Sequence, residues 1–330
     1  MNGTRVQMNI SEFTMEMNRL GQANVPFLFM VDFEMEKPFL INLKDIDPDR
    51  ILFDVNGFTN AEIEIKVPQD IAIEKFPLPL EVYQEKFEKV FGHLEYGDSF
   101  LTNLTIKTEI RLDHSLKDIF LFTSAKYKLL FEGQFLVFSP EIFVQVKNGK
   151  IFCYPMKGTI DASLPNARQK LLNDKKEVSE HVTIVDLIRN DLSQVASNVN
   201  VARFRYLDEI RTDSKTLLQV SSEIVGQLED HYASNLGDIL VRLLPAGSVS
   251  GAPKPKTLEI IKSVEEEKRG YYTGVFGIFD GKNLDSGVMI RFIEKQDGRY
   301  FYRSGGGITT QSILSSEYNE AIDKVYVPVN

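Results

Sequence analysis

Four glutamates form the clearest candidate cluster for chemistry in this sequence. Glu177 and Glu180 are three residues apart on one predicted helix, and Glu317 and Glu320 are three apart on another. Residues at this spacing lie on one helix face. Their oxygens suit Mg²⁺, which keeps several waters for a bound anionic substrate. A pair of solvated acidic helix faces is the alternative, and spacing alone leaves both interpretations open.

Three glycine-rich loops could bind an anion through successive backbone amides. They cover residues 157–159, 245–253 and 304–307. The last does not have the lysine and helix pattern of phosphate-binding or dinucleotide-binding loops. A tight turn is the competing interpretation for each loop.

Lys157 follows an apolar strand and is a candidate nucleophile. Partial burial would lower the pKa of its amine and leave some of it neutral.

Other reactive patterns are missing from the sequence. The four histidines are scattered, Cys153 is the single cysteine, and no Gly-x-Ser-x-Gly elbow occurs.

The composition is that of a globular protein with a large core. The chain has 330 residues, of which 43% are hydrophobic, and a net charge of −9. This charge argues against a nucleic-acid partner, which would require a surplus of Lys and Arg on one face. Polar residues recur through 1–20, so neither a signal peptide nor a membrane span is expected there. A cytoplasmic protein is predicted.

The spacing of the hydrophobic residues predicts which strands and helices carry the candidate residues named above. Residues 80–94 have near-helical apolar spacing and Gly97 follows as a stop, while Asn148-Gly149 is typical of a hairpin turn. This mixture indicates an α+β fold in one large domain. The pattern predicts strands within 26–66, 100–159, 272–279, 285–294 and 299–303, and helices at 164–192, 214–226, 234–243 and about 315–325.

Ordered motifs between about residues 80 and 325 resemble the chorismate-binding family, which includes anthranilate, aminodeoxychorismate, isochorismate and salicylate synthases. The resemblance implies one α+β domain over 1–330 with two facing antiparallel sheets flanked by helices, as in anthranilate synthase component I. Residues 1–79 would contribute strands but be shorter than in full-length relatives, without a complete tryptophan pocket. The motifs are Ser139-Pro-Glu141, 154–159, 177–191, 245–253, 269–274, Ile290-Arg291, 304–307, 316–320 and Lys324.

The resemblance also implies roles for individual residues. Glu180 and Glu320 would contact Mg²⁺ most directly, and Glu177 and Glu317 would hold its waters. The metal would neutralise the ring carboxylate of chorismate. The residues implied to bind the substrate are Gly158, Thr159, Ser248, Tyr272, Arg291, Gly305, Gly306, Gly307 and Lys324.

In having lysine at position 157, the chain resembles the family members that aminate chorismate to 4-amino-4-deoxychorismate. Those members serve para-aminobenzoate and folate synthesis. Lys157 would add at C2 with loss of the C4 hydroxyl, and ammonia would then expel it. Glu141 would be the general acid or base, unless it forms a mutual salt bridge with Lys157. A separate glutamine amidotransferase subunit is expected to supply ammonia, because no glutamine-hydrolysing segment is present.

Two alternatives remain. One is anthranilate synthase component I, whose product loses pyruvate. The other is a non-catalytic chorismate-binding paralogue, which Gln219 would favour because many relatives have histidine there. A hydrating reaction is disfavoured, since residues 101–105 lack the lysine base that such members carry.

Overall fold

Two antiparallel sheets, each of nine strands, form the centre of this computed structural model, whose described residues are 8–62, 71–211 and 216–328. The first sheet runs in the order β11 (Met156–Asp161), β13 (Thr216–Gln227), β10 (Lys150–Cys153), β9 (Ile142–Lys147), β16 (Leu284–Val288), β15 (Val275–Phe279), β1 (Phe27–Val31) and β2 (Phe39–Asn42), with β12 (Ser197–Arg211) beside β13. The second runs in the order β14 (Gly251–Ala252), β6 (Leu101–Leu112), β18 (Arg299–Ile308), β17 (Phe292–Gln296), β8 (Phe135–Ser139), β7 (Tyr127–Phe131), β3 (Ile51–Val55) and β4 (Phe58–Thr59), with β5 (Ile73–Phe76) beside β6.

Helices flank both sheets. Within the described ranges they are α1 (Ile10–Gln22), α2 (Leu80–Tyr96), α3 (Leu116–Phe122), α4 (Ala167–Asn173), α5 (Lys175–Ser193), α6 (Leu236–Leu243), α7 (Lys254–Glu265) and α8 (Leu314–Asp323). None of these helices, which are those of the described residues, is long and apolar enough to span a membrane.

Strand β1 shows how the layers are held together. All five of its residues are buried, because successive side chains point to opposite faces and both faces are covered. Leu28 and Met30 belong to an apolar cluster with Phe53 and Val137 of the second sheet. Phe29 and its alternate neighbours pack with residues of α1 and α6. The predicted arrangement of facing sheets with flanking helices is therefore confirmed.

Helix α2 follows its sequence pattern closely. Its buried residues, Tyr83, Phe87, Val90 and Leu94, recur every three or four positions and so form one stripe. Gly97 ends the helix with a φ of 89°, in the left-handed region that glycine adopts at little cost. The predicted hairpin is also present, since Asn148-Gly149 joins β9 to β10.

The helix predicted over 214–226 is wrong: residues 216–227 form β13, and 214–215 lie outside the described residues. Leu217, Val220 and Ile224 are spaced as on a helix, but Leu218, Val220 and Ile224 also fit a two-residue period. The segment is a strand because it pairs with β12 on one side and with β10 and β11 on the other, and Leu218, Val220 and Ile224 are its buried apolar residues. The predicted strand region at 26–66 holds β1 to β4, and its residues 63–66 lie outside the described ranges.

Candidate active site

All of the site residues predicted from the sequence line one cavity of about 490 Å³. Its walls come from β11 of the first sheet, β18 of the second, and helices α5 and α8. This volume falls within the range of about 300–1,000 Å³ that is usual for small-molecule sites. The residues are brought together from widely separated parts of the chain, and their individual roles stay predictions.

Helix α5 presents Glu177 and Glu180 to the cavity. The helix begins where the Asp174 side chain accepts a hydrogen bond from the Glu177 amide, which places both glutamates in its first two turns. Glu177 packs against Gly158 of β11, where a Cβ atom would lie only 3.0 Å from its Oε2. Gly158 has a φ of 73° at an irregularity of the ladder, so glycine is needed there for both space and conformation.

Helix α8 presents Glu317 and Glu320 to the glycine segment of β18. A Cβ atom on Gly306 would lie 3.6 Å from Glu317 Oε2 and 3.8 Å from Glu320 Oε1. Lys324 Nζ donates to the Gly305 carbonyl at 2.8 Å and pairs with Glu320 at 2.7 Å. Because the glycines of β18 have no side chains, the charged groups of α8 can reach the cavity wall.

Lys157 lies among the carboxylates of both helices. Its Nζ is 3.0 Å from Glu180 Oε2. Burial acts to lower the pKa of this amine, but attraction by Glu180, and then by Glu177 and Glu320, outweighs it and raises the pKa. The expectation of a lowered pKa is therefore wrong, because the sequence alone did not show how many carboxylates surround the amine.

Glu141 accepts a hydrogen bond from the Ser248 hydroxyl. Burial raises the pKa of the Glu141 carboxyl, against the opposing effects of Ser248, Lys157, Arg291 and Lys324. A carboxyl group with a raised pKa suits proton transfer near neutral pH. The alternative of a Glu141–Lys157 salt bridge is not what the structure shows, since Lys157 pairs with Glu180.

Several buried polar atoms on the cavity wall have no hydrogen-bond partner. They are Arg291 Nε, Asn103 Oδ1 and Ser304 Oγ. An unsatisfied buried polar group costs about 1–3 kcal/mol, so its presence in a cavity indicates a place for a polar ligand. Asn103 was not singled out from the sequence; its position in a strand gave no chemical signal.

A partly buried ion pair at the cavity wall was also missed. Lys254 Nζ is 2.6 Å from Asp191 Oδ2 and donates to the Leu243 carbonyl at 3.1 Å. Burial raises the pKa of Asp191, against the opposing charge of Lys254. Asp191 is the last residue of the motif at 177–191, and this position was the only feature of the sequence that pointed to it. Gln219, which also lines the cavity, donates to the Thr159 hydroxyl at 3.3 Å.

The donor set fits Mg²⁺ by its chemistry. The four glutamates offer only oxygen ligands, and Gly158 and Gly306 leave room beside them. In the part of the chain that the structure describes, no three acidic, histidine or cysteine side chains converge as a ready-made metal site. Mg²⁺ commonly takes one or two protein carboxylates together with water and substrate, so the prediction of Glu180 and Glu320 as its direct ligands does not require a larger cluster.

His181 fixes α5 to the first sheet immediately after Glu180. Its Nε2 lies 2.7 Å from Ser222 Oγ on β13, and burial, followed by the charges of Arg205 and Lys157, lowers the pKa of His181 to about 4. The unfolded chain takes up this proton near pH 6.5. Stability is therefore lost as the pH falls from about 6.5 toward about 4.

We expect this effect to cost about 2 kcal/mol in the free energy of unfolding between about pH 7.5 and about pH 5. His181→Gln retains a polar group near Ser222 but does not titrate, so its unfolding free energy should fall less over the same interval. Urea titrations of both proteins at the two pH values measure the difference. Equal pH dependence in the two proteins would contradict the prediction.

The chain matches a family of known proteins over most of its length. The family described as chorismate binding enzyme matches residues 59–330, and the chain belongs to this family. An uncharacterized PabA-like protein of Haemophilus influenzae is 49% identical over 323 residues, covering 98% of each chain.

Named relatives are more distant and longer. Aminodeoxychorismate synthase component 1 of Salmonella typhimurium is 32% identical over 74% of this chain, which spans only 56% of that protein. The crystal structure of anthranilate synthase component I from Streptococcus pneumoniae has a TM-score of 0.66 and 26% identity, covering 78% of this chain and 59% of that one. The chain therefore spans a little over half the length of these two proteins.

Proposed function

We propose that this chain aminates chorismate to 4-amino-4-deoxychorismate in a Mg²⁺-dependent reaction. The observation that carries the proposal is Lys157, an amine inside the cavity and 3.0 Å from a glutamate of α5. A relative named aminodeoxychorismate synthase component 1 supports the choice of reaction. The ammonia would come from solution or from a glutamine amidotransferase subunit.

Lys157 is proposed to act as the first nucleophile. Its nitrogen forms a bond to C2, the ring double bonds shift, and the C4–O bond breaks to release water. Ammonia then bonds to C4, the double bonds shift back, and the C2–N bond breaks to free Lys157. Two displacements replace a single difficult one. The net change is the exchange of one hydroxyl group for one amino group.

Glu141 is proposed to move the protons of this exchange. Burial raises the pKa of its carboxyl, so it can give a proton to the departing hydroxyl and take one from the incoming ammonia. The hydrogen bond from Ser248 fixes the carboxyl group for both transfers. Correct placement of this group is as important as its pKa.

Mg²⁺, held by Glu180 and Glu320, would neutralise the ring carboxylate of chorismate and take up the negative charge that raises the pKa of Lys157. Arg291 Nε, a buried donor without a partner, can bind a carboxylate of the substrate. Tyr272, buried on the same wall, and the amides near Gly306 would complete the contacts.

The test of the proposal is to incubate the purified chain with chorismate, Mg²⁺ and ammonium and to identify the product by mass spectrometry. The expected product retains the enolpyruvyl group and carries one amino group in place of a hydroxyl. Glutamine in place of ammonium should give none, unless an amidotransferase subunit is added. Release of pyruvate with an aromatic ortho-amine would instead indicate anthranilate synthesis, and binding of chorismate without turnover would indicate a non-catalytic paralogue.

A further inference from the structure

A buried ion pair lies behind the cavity wall without lining the cavity. Arg269 is 1% exposed and Glu265, four residues earlier, is 6% exposed. Two hydrogen bonds join them in parallel: Arg269 Nε to Glu265 Oε2 at 2.7 Å and Arg269 Nη2 to Glu265 Oε1 at 2.6 Å. The proposed reaction uses neither residue.

The remaining donors of Arg269 hold two backbone segments that do reach the cavity. Nη1 donates to the Val249 carbonyl at 2.7 Å, and Nη2 donates to the Asn103 carbonyl at 2.8 Å. Glu265 Oε1 also accepts from the Thr105 amide at 2.9 Å. The pair thus ties the loop that carries Ser248 to strand β6.

Stability alone does not explain such a pair. Removing two charges from water costs several kcal/mol for each ion, and well-packed apolar replacements of buried pairs are often neutral or stabilising. A planar guanidinium with donors in a fixed fork is, however, well suited to holding several acceptors in one geometry. The hydrogen bonds that the fork donates here all end on backbone atoms or on Glu265, apart from a 3.5 Å contact with the Thr273 hydroxyl, and its face packs on the Phe33 ring.

We infer that Arg269 and Glu265 are a positioning pair. By holding the Val249 carbonyl, the pair keeps the neighbouring Ser248 hydroxyl bonded to Glu141. The inference rests on the proposed function, because it assigns the pair an effect on proton transfer by Glu141. Val249 directly follows Ser248, so a change in the position of its carbonyl displaces the hydroxyl that bonds to Glu141. A misplacement of about 1 Å can lower a rate by up to about 10²-fold.

The test is a double-mutant cycle between Glu265→Gln and Ser248→Ala, with kcat and KM measured for chorismate. Glutamine keeps the shape and an acceptor at position 265 but loses the charge that orients Arg269. Glu265→Gln alone should lower kcat roughly tenfold or more and change KM little, whereas in the Ser248→Ala background it should lower kcat less than about twofold. An equal loss in both backgrounds, or none in either, would overturn the inference.

Hydrogen exchange supplies a measurement that does not depend on turnover. In Glu265→Gln the amides of residues 249 and 250 should lose protection, because the loop is no longer held through Val249. Glu259→Gln, on the exposed side of the same helix, is the matched control and should change neither protection nor kcat. Unchanged protection in Glu265→Gln refutes the positioning role. The wild-type product tests the proposed function separately.

Discussion

Lys157→Ala is expected to lower the rate of aminodeoxychorismate formation by on the order of 10³-fold or more, because it removes the proposed first nucleophile. Binding of chorismate and Mg²⁺ should change little, since the four glutamates and the glycine segment of β18 stay in place. Single-turnover kinetics and equilibrium binding of chorismate separate the two effects.

Lys157→Arg is the informative comparison. Arginine retains a positive charge beside Glu180 but stays protonated in proteins, so it cannot attack the ring. If Lys157 acts covalently, both variants should be inactive, and wild-type protein given chorismate without ammonium should carry an adduct on the peptide containing Lys157. High activity in Lys157→Arg would show that the residue acts only through its charge. Lys150→Ala, at an exposed position on β10, should behave as the wild type.

Glu180→Gln and Glu320→Gln should each reduce turnover by roughly 100-fold or more at moderate Mg²⁺ concentration, because each removes a charged oxygen ligand. Added Mg²⁺ should restore part of the rate in Glu320→Gln by mass action. Restoration should be poorer in Glu180→Gln, since that change also removes the carboxylate that forms an ion pair with Lys157 at 3.0 Å.

Asp323→Asn provides the control for the loss of a carboxylate from α8, because Asp323 is exposed and does not line the cavity. Its Mg²⁺ dependence should match that of the wild type. Rates measured against Mg²⁺ concentration, with a chelator as the zero point, determine the effect of each variant. Full activity of the wild type in chelator would contradict the metal role itself.

The sequence predicts those features that depend on local spacing. The stripe from Tyr83 to Leu94 predicts α2. The residues that gather in the cavity are predicted instead by the resemblance of the ordered motifs to the chorismate-binding family, because no local pattern shows which distant segments meet. Strand β13 was missed because its apolar residues satisfy two periods at once, and only pairing with strands on both sides selects one. Local sequence cannot contain that information.

Features that depend on residues far apart in the sequence could not be predicted from it either. The raised pKa of Lys157 depends on Glu180 and Glu320, which arrive from two helices far apart in the chain. The contact between Ser248 and Glu141 joins residues 107 positions apart. Arg269 stands within a quoted motif, yet its partners on β6 could not be identified without the three-dimensional structure.

The interleaving of strands within the two sheets also bears on how the chain reaches its native state. β1 pairs with β15, and β6 pairs with β18, so each sheet pairs a strand from the first part of the chain with one from its last part. Such long-range pairing makes folding slow, and a ribosome-bound chain that ends before residue 299 cannot yet form the glycine side of the cavity. Until β15 is made, the segment Phe27–Val31 cannot complete its native pairing, and this apolar strand is open to aggregation in the nascent chain.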